Sequence, residues 1–206
     1  MQIMVMATPF IIFYAPLSIY ITAVFRLFGF SFVRAIQLAQ LAGFLAAAGG
    51  MFALARRWFG NPWAGLLASV AYTTAPFHMV NIYVRGDSLA EFWAMAFYPL
   101  VLLTADGVLA AAAHSPFSTK QVGRPVALFA LAYAALVLSH NISALIFSPF
   151  LLLYLLLRCW FGRREAATTR QGVARAAALP VAGLFLALAL AAWFLCRRWR
   201  SNRWRS

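Results

Sequence analysis

Polar and ionisable residues are concentrated in one stretch of an otherwise apolar sequence, PFHMVNIYVRGDSLAE at positions 76–91. Two of the chain's four acidic residues, Asp87 and Glu91, lie in this stretch beside Arg85. If a helix begins at Asp87, Glu91 lies one turn farther on the same face, where the two carboxylates can share a cation, a sugar hydroxyl or Arg85. Arg85 can also bind an anion at the helix amino terminus. Placing ionisable groups within or close to a membrane costs free energy, so such groups usually have a function. This stretch is therefore the first candidate for a functional site.

The same residues also fit a purely structural role. Asp87 or Ser88 can cap the amino terminus of a helix, and Glu91 then lies in the first turn, where a carboxylate is favourable. A polar turn between two membrane helices would have a similar composition. Both interpretations, site and cap, therefore stay open at this point.

Composition places the chain among integral membrane proteins. Of its 206 residues, 65% are hydrophobic and only 10% are charged, whereas soluble proteins average about 25% charged residues. A membrane-spanning helix needs about 20 apolar residues, so the chain has room for six or seven spans and no sizeable soluble domain. The sequence predicts an all-α, polytopic membrane helical bundle that forms a single domain over residues 1–196.

Net charge is strongly positive, +13, and the last residues, CRRWRSNRWRS, combine arginine with tryptophan. In a soluble protein this would suggest nucleic-acid binding. In a membrane protein, arginines in the loops orient the chain and contact anionic headgroups. We therefore predict membrane lipids and no nucleic acid as partners. Residues 197–206 are predicted to be a disordered basic tail that contributes nothing to the fold.

Six segments are predicted to cross the membrane, each bounded by charged residues, glycine or proline. They are residues 33–55, 63–83 with an interruption at Pro76, 88–113, 126–138, 142–161 and 174–195. An aromatic-rich segment at 10–28 precedes them and contains Pro16. Aromatic residues gather at the membrane interface and proline breaks a backbone hydrogen bond, so this segment either lies in the interface or crosses.

Lysine and arginine are distributed unevenly between the two sets of loops. The loops at 56–62, 114–125 and 158–175 hold nine of these residues, whereas the opposite face, the tail aside, holds three. By the positive-inside rule, the first set of loops is predicted to lie in the cytoplasm. The chain is predicted to be a multi-pass protein of the inner (plasma) membrane. Residues 84–91 and the polar break at 139–141 then share the extracytoplasmic face.

This shared face predicts one binding pocket from residues far apart in the sequence, with His78 near its edge. The predicted pocket residues are Tyr83, Arg85, Asp87, Glu91, His140 and Asn141. The histidines at 78, 114 and 140 lack metal-ligand spacing. We therefore predict no metal site and no cofactor, and a divalent metal in the intact protein is left open.

Three segments resemble a known family. The run SVAYTTAPFHMVNIYVRGDSLAEFWAMAFYPLVLL is similar to a signature of the large bacterial GT-C-type membrane proteins labelled 6-pyruvoyl-tetrahydropterin synthase-related membrane domain proteins. The run ALVLSHNISALIFSPFLLLYLLL resembles their second signature. The family's first signature is an aromatic run that leads into Pro-Pro-Leu. It is similar to FIIFYAPLSIYITAVFRLFG here, with Ala15 in place of the first proline.

The resemblance implies a fold used by glycosyltransferases that take a sugar from a polyprenyl-phosphate carrier on the extracytoplasmic face, and it implies an interfacial position for residues 10–28. Such enzymes place a catalytic carboxylate in their first extracytoplasmic loop, upstream of where this chain begins. They also continue beyond the point where AAWFL here gives way to the basic tail. We therefore expect a truncated or frame-shifted fragment, in which the catalytic residues are unknown.

Two functions are compatible with these observations. In the first, the chain is a fragment of a glycosyltransferase-like enzyme in which Arg85 pairs with the carrier phosphate. His140 and Asn141 hydrogen-bond phosphate or sugar there, and Glu91 orients Arg85 or a hydroxyl. In the second, the same pocket serves a non-catalytic membrane protein that binds lipid, transports a substrate or supports assembly. The sugar, the acceptor and the oligomeric state are not indicated by the sequence.

Overall fold

A computed structural model describes residues 16–83, 88–113, 119–165 and 170–202, and this part of the chain is helical with no strand. The described helices are α1 (Pro16–Leu27), α2 (Phe32–Phe59), α3 (Pro62–Thr73), α4 (Pro76–Tyr83), α5 (Leu89–Ala113), α6 (Thr119–Ser139), α7 (Asn141–Glu165) and α8 (Arg170–Asn202).

Five of these helices contain a stretch long and apolar enough to cross a membrane. These stretches are Phe32–Phe59, Leu89–Ala113, Gln121–Ser139, Asn141–Phe161 and Ala174–Ala192. The prediction of an all-α polytopic membrane bundle is confirmed. The remaining predicted span, 63–83, is divided at Thr74 and Ala75 into α3 and α4, which have 12 and 8 residues. Proline at position 76 accounts for the division, because it cannot donate a backbone hydrogen bond to the preceding turn.

The turn between α2 and α3 is specified by local sequence. Gly60 ends α2 with a φ of 65°, a left-handed conformation that glycine adopts without steric cost. The Asn61 side chain accepts a hydrogen bond from the backbone N–H of Trp63 at 2.9 Å, and Pro62 is the first residue of α3. These are the preferred residue types for the start of a helix.

Helix α2 packs closely against α3 and α5. The Ser69 hydroxyl donates to the carbonyl of Ala48, and a Cβ on Gly65 would lie 2.9 Å from the carbonyl oxygen of Phe52, which makes α2 and α3 antiparallel. Gly43 and Gly50 of α2 contact Phe92 and Leu100 of α5 in the same order along both helices, which are therefore parallel. Small residues permit this close approach between membrane helices.

Because α2 and α5 run in the same direction, the chain must return through α3 and α4 from the end of α2 to the start of α5. This return agrees with the predicted topology, in which residues 56–62 and 84–91 lie on opposite faces. We expect single cysteines at Ser88 and Ser118, with Cys159 and Cys196 changed to serine, to react differently with a membrane-impermeant thiol reagent on intact cells. Ser88 should be labelled and Ser118 protected, whereas equal labelling would contradict the topology.

The two ends of the chain depart from a simple series of spans. Helix α1 has 12 residues and extends about 18 Å, short of the about 30 Å of a hydrocarbon core. It contacts α2. At the other end, α8 continues through Asn202, so residues 197–202 are helical where the sequence predicts a disordered tail. A helix already formed in an apolar span propagates readily into arginine-rich sequence, because arginine is a good helix former.

Contacts group the helices into two compact units. The first comprises Met1–Leu100 with Ala135–Ala144, and the second comprises Val101–Ala134 with Leu145–Ser206. Helices α5, α6 and α7 each contribute residues to both units, so the division does not separate consecutive segments of the chain. The single domain predicted for residues 1–196 stays a prediction.

Candidate functional site

The predicted pocket residues are described to different extents. Arg85 and Asp87 lie outside the described residues, and Tyr83 is the last residue of α4, with its side chain also outside them. Glu91 lies in the first turn of α5. His140 lies between α6 and α7, and Asn141 begins α7. The geometry of the candidate site therefore depends on the last three residues and their neighbours.

Glu91 takes part in the capping of α5. The Ser88 hydroxyl donates to the Glu91 carboxylate at 2.8 Å, and the Ser88 carbonyl accepts the first helical hydrogen bond, from Phe92 N–H at 3.0 Å. Ser88 therefore occupies the cap position and Glu91 the third helical position, a spacing typical of helix starts. A carboxylate here also interacts favourably with the amino-terminal end of the helix dipole.

His140 caps α7 in a similar way. Its carbonyl accepts from Ala144 N–H at 3.0 Å, and its Nδ1 accepts from the backbone N–H of Ser143 at 3.1 Å. Side-chain acceptors at the cap normally bind this same N–H, three residues farther on. Because Nδ1 accepts a hydrogen bond, the neutral ring carries its proton on Nε2. The residue is 4% exposed.

Four side chains connect the two capped helix starts within the first unit. The Ser143 hydroxyl lies 2.7 Å from Nδ1 of His140, and the Ser143 side chain also hydrogen-bonds to Tyr98. The Glu91 carboxylate acts electrostatically on both His140 and Tyr98. Glu91 and His140, which are 49 positions apart in the sequence, therefore lie in one polar cluster, defined here as Glu91, Tyr98, His140 and Ser143.

Asn141 does not join this polar cluster in the described part of the chain. It is exposed, and its side-chain oxygen accepts from the backbone N–H of Ile142 at 2.8 Å. Each residue turns an α-helix by about 100°, so the first residue of α7 faces away from the direction that Ser143 takes. The predicted role of Asn141 in the pocket is not supported by its position.

His78 lies in the hydrophobic interior rather than at a pocket edge. Its ring is 2% exposed and packs edge-on against Phe44, Tyr72 and Phe92, with ring centroids 5.2–5.9 Å apart. Three buried polar atoms of the first unit have no hydrogen-bond partner among the described residues: His78 Nε2, Trp93 Nε1 and Ser139 Oγ. Buried polar groups are nearly always hydrogen-bonded, so this unit has unused hydrogen-bonding capacity.

Sequence reasoning missed Tyr98 and Ser143. Tyr98 follows Glu91 by seven residues, which is two helical turns, so the two side chains share a face of α5. Ser143 follows His140 by three residues, which is the spacing of a helix cap. Both signals are present in the sequence, but they become informative only once the helix starts are known.

The cap predicts a pH dependence of stability. Burial lowers the pKa of His140 below its ordinary value of 6.5, although the Glu91 carboxylate opposes this effect. Well above pH 6.5 the ring is neutral in both folded and unfolded chains. As the pH falls through 6.5 the unfolded ring gains a proton before the folded ring does, which lowers stability. We expect the thermal midpoint to fall between about pH 8 and pH 5. His140→Asn, which keeps a capping oxygen, should show a shallower fall. Identical slopes for the two proteins would contradict this assignment.

In the described part of the chain, no group of three His, Cys, Asp or Glu side chains is placed to hold a metal ion. The arrangement offers hydrogen-bond donors and two helix amino termini, together with the carboxylate of Glu91. No family model, curated protein or solved structure matches this chain.

Proposed function

We propose that this chain is part of a glycosyltransferase-like membrane protein that takes a sugar from a polyprenyl-phosphate carrier on the extracytoplasmic face. The proposal is supported by the resemblance of its three signature segments and by the polar cluster. Two of those segments contain Glu91 and His140, which lie at the starts of different helices and belong to the same unit.

The observation that carries the proposal is the meeting of two helix amino termini at this cluster. Helix α5 begins after Ser88 and α7 begins after His140. The Glu91 carboxylate acts electrostatically on His140, so the two starts lie near each other in the first unit. The amino terminus of a helix favours an anion, because its backbone N–H groups and dipole both interact with negative charge. A phosphate near both starts would also need a cation to offset Glu91, and Arg85 precedes α5 by four residues.

Each residue then has a role in binding. Arg85 pairs with the carrier phosphate, while Glu91 orients Arg85 or accepts a sugar hydroxyl. The imidazole Nε2–H of His140 is a hydrogen-bond donor for phosphate or sugar, and Tyr98 supplies a further hydroxyl. These residues bind the donor, and none of them is proposed as the catalytic base or as a ligand of a cofactor.

The test measures sugar transfer by the full-length protein, including any flanking sequence that its gene encodes, in proteoliposomes containing polyprenyl-phosphate glucose or mannose. Arg85→Ala is expected to reduce transfer by about 10- to 100-fold, the effect of losing a charge-assisted hydrogen bond worth about 1.5–3 kcal/mol. Arg34→Gln is the control, because it removes one exposed arginine from the same predicted face. Unchanged transfer by Arg85→Ala would show that the phosphate role is wrong.

A non-catalytic function is the second candidate, and a specific observation favours it. Glu91 accepts a hydrogen bond from the Ser88 hydroxyl, and Nδ1 of His140 accepts one from the backbone N–H of Ser143. Both side chains therefore already have structural roles in helix capping. A protein that binds a phospholipid carrier without chemistry would retain such an arrangement. Binding of polyprenyl phosphate in native mass spectra, with no transfer by the full-length protein, would favour this function over the enzyme.

A further inference from the structure

A charged pair lies within the membrane-spanning helices of the second unit. Asp106 belongs to α5, and its side chain is 1% exposed. The same carboxylate oxygen, Oδ1, accepts two hydrogen bonds, one from the Tyr154 hydroxyl at 2.6 Å and one from Nε of Arg158 at 3.2 Å. Both partners come from α7. A buried carboxylate is costly unless it is paired and hydrogen-bonded, so these two contacts stabilise its charged form.

Arg158 has more hydrogen-bond donors than this pair uses. A guanidinium group has five N–H donors, and among the described residues Arg158 is held through Nε alone. Its side chain is 53% exposed. The two terminal nitrogens are therefore available to a ligand outside the protein, while Asp106 fixes the position of the group. A group held in place in this way loses less conformational entropy when it binds.

A second cation lies at the same level of the α7–α8 hairpin. The Cys159 thiol donates to the carbonyl of Ala176, with a separation of 3.8 Å. Arg158 precedes Cys159 and Arg175 precedes Ala176, so this contact brings the two arginines to the same height along the hairpin. Two guanidinium groups at one level favour an anion.

This level corresponds to the membrane interface. The span in α7 ends at Phe161, three residues after Arg158. Trp160 and Phe161 are both more than half exposed. Exposed aromatic residues at the end of a span mark the level of the lipid headgroups, where phosphate groups lie.

We propose that Arg158, held by Asp106 and Tyr154, binds the phosphate group of an anionic phospholipid, and that Arg175 supplies the second positive charge. Two terminal nitrogens of one arginine match two phosphate oxygens, which gives a directed, bidentate contact. A lipid is favoured over free phosphate because Arg158 lies inside the candidate spanning stretch, beside the exposed aromatic residues Trp160 and Phe161. This site belongs to the second unit and does not depend on the proposed glycosyltransferase-like function.

The test compares binding of phosphatidylglycerol and phosphatidylcholine to the delipidated full chain by native mass spectrometry. The double variant Asp106→Asn with Arg158→Gln removes the arginine but leaves the net charge unchanged and keeps a neutral hydrogen-bonded pair. It should bind phosphatidylglycerol about tenfold more weakly or worse than the unmodified protein. Arg124→Gln is the matched control, because it removes one exposed positive charge from the same unit, and it should bind as the unmodified protein does.

Thermal midpoints provide a second measurement that also reports folding. Phosphatidylglycerol should raise the midpoint of the unmodified protein and of Arg124→Gln, and it should not raise that of the folded double variant. Equal binding by the double variant would overturn the proposal. So would equal binding of phosphatidylcholine, or an equal rise produced by inorganic phosphate alone, since the ligand would then not be an anionic lipid.

Discussion

Replacing Phe92 with alanine is expected to lower the free energy of unfolding by about 2–3 kcal/mol, less than the about 3–5 kcal/mol typical of soluble proteins, because only the lost packing contributes in lipid. The Phe92 side chain is 1% exposed and packs against Gly43, Phe44 and His78. Its removal leaves a cavity where α2, α4 and α5 meet. Packing of this kind is a principal source of stability between membrane helices, because lipid solvates apolar side chains as well as the protein interior does.

Phe150→Ala is the matched control for this prediction. Phe150 belongs to α7 and is 65% exposed, so the same atoms are removed from a surface that contacts lipid. Its unfolding free energy should stay within about 0.5 kcal/mol of that of the unmodified protein. Denaturation followed by circular dichroism in one detergent measures both variants. Equal losses would mean that Phe92 does not form part of a tightly packed interior.

Arg158→Gln is expected to destabilise the protein more than Asp106→Asn. Removing the arginine leaves a buried carboxylate without its cation, although the hydrogen bond from Tyr154 remains. Breaking one side of a buried pair in this way costs about 3–5 kcal/mol. Removing the carboxylate leaves a half-exposed arginine that water and headgroups can solvate. Asp106→Asn should therefore lower the free energy of unfolding by about 1 kcal/mol or less.

A double-mutant cycle measures this asymmetry. The variant that carries both changes should recover most of the stability lost in Arg158→Gln, because the buried group is then a neutral amide. The measurement is the unfolding free energy of the four proteins under one set of conditions. If the two single variants lose the same amount, the carboxylate is not as buried as its 1% exposure indicates.

Local features of the fold could be predicted from the sequence. Long apolar runs predict the helical spans, since a backbone in lipid must satisfy its own hydrogen bonds. Asn61 followed by Pro62 predicts the start of α3, and the residues around Ser88 predict a capped start for α5. Each of these features depends on neighbours within about one helical turn, so the residue types alone are sufficient.

Contacts between distant helices were decided by the tertiary structure. Helix rotation determines which side chains face each other, and apolar composition all round a membrane helix carries little information about that rotation. The sequence accordingly placed Glu91 and His140 on one face without indicating Tyr98 or Ser143 as their partners. It also placed His78 near the edge of a pocket, whereas the ring lies among Phe44, Tyr72 and Phe92.

The pairing of Asp106 with Arg158 illustrates the same limit. The order of the spans predicts that both residues lie toward one membrane face, because a span's length and direction set the depth of each residue. Their contact also requires the faces of α5 and α7 that carry them to be turned toward each other, and this depends on packing along the whole helices. The sequence by itself predicts the depth of each residue in the membrane, whereas the partner of each buried polar group was decided by how the helices pack.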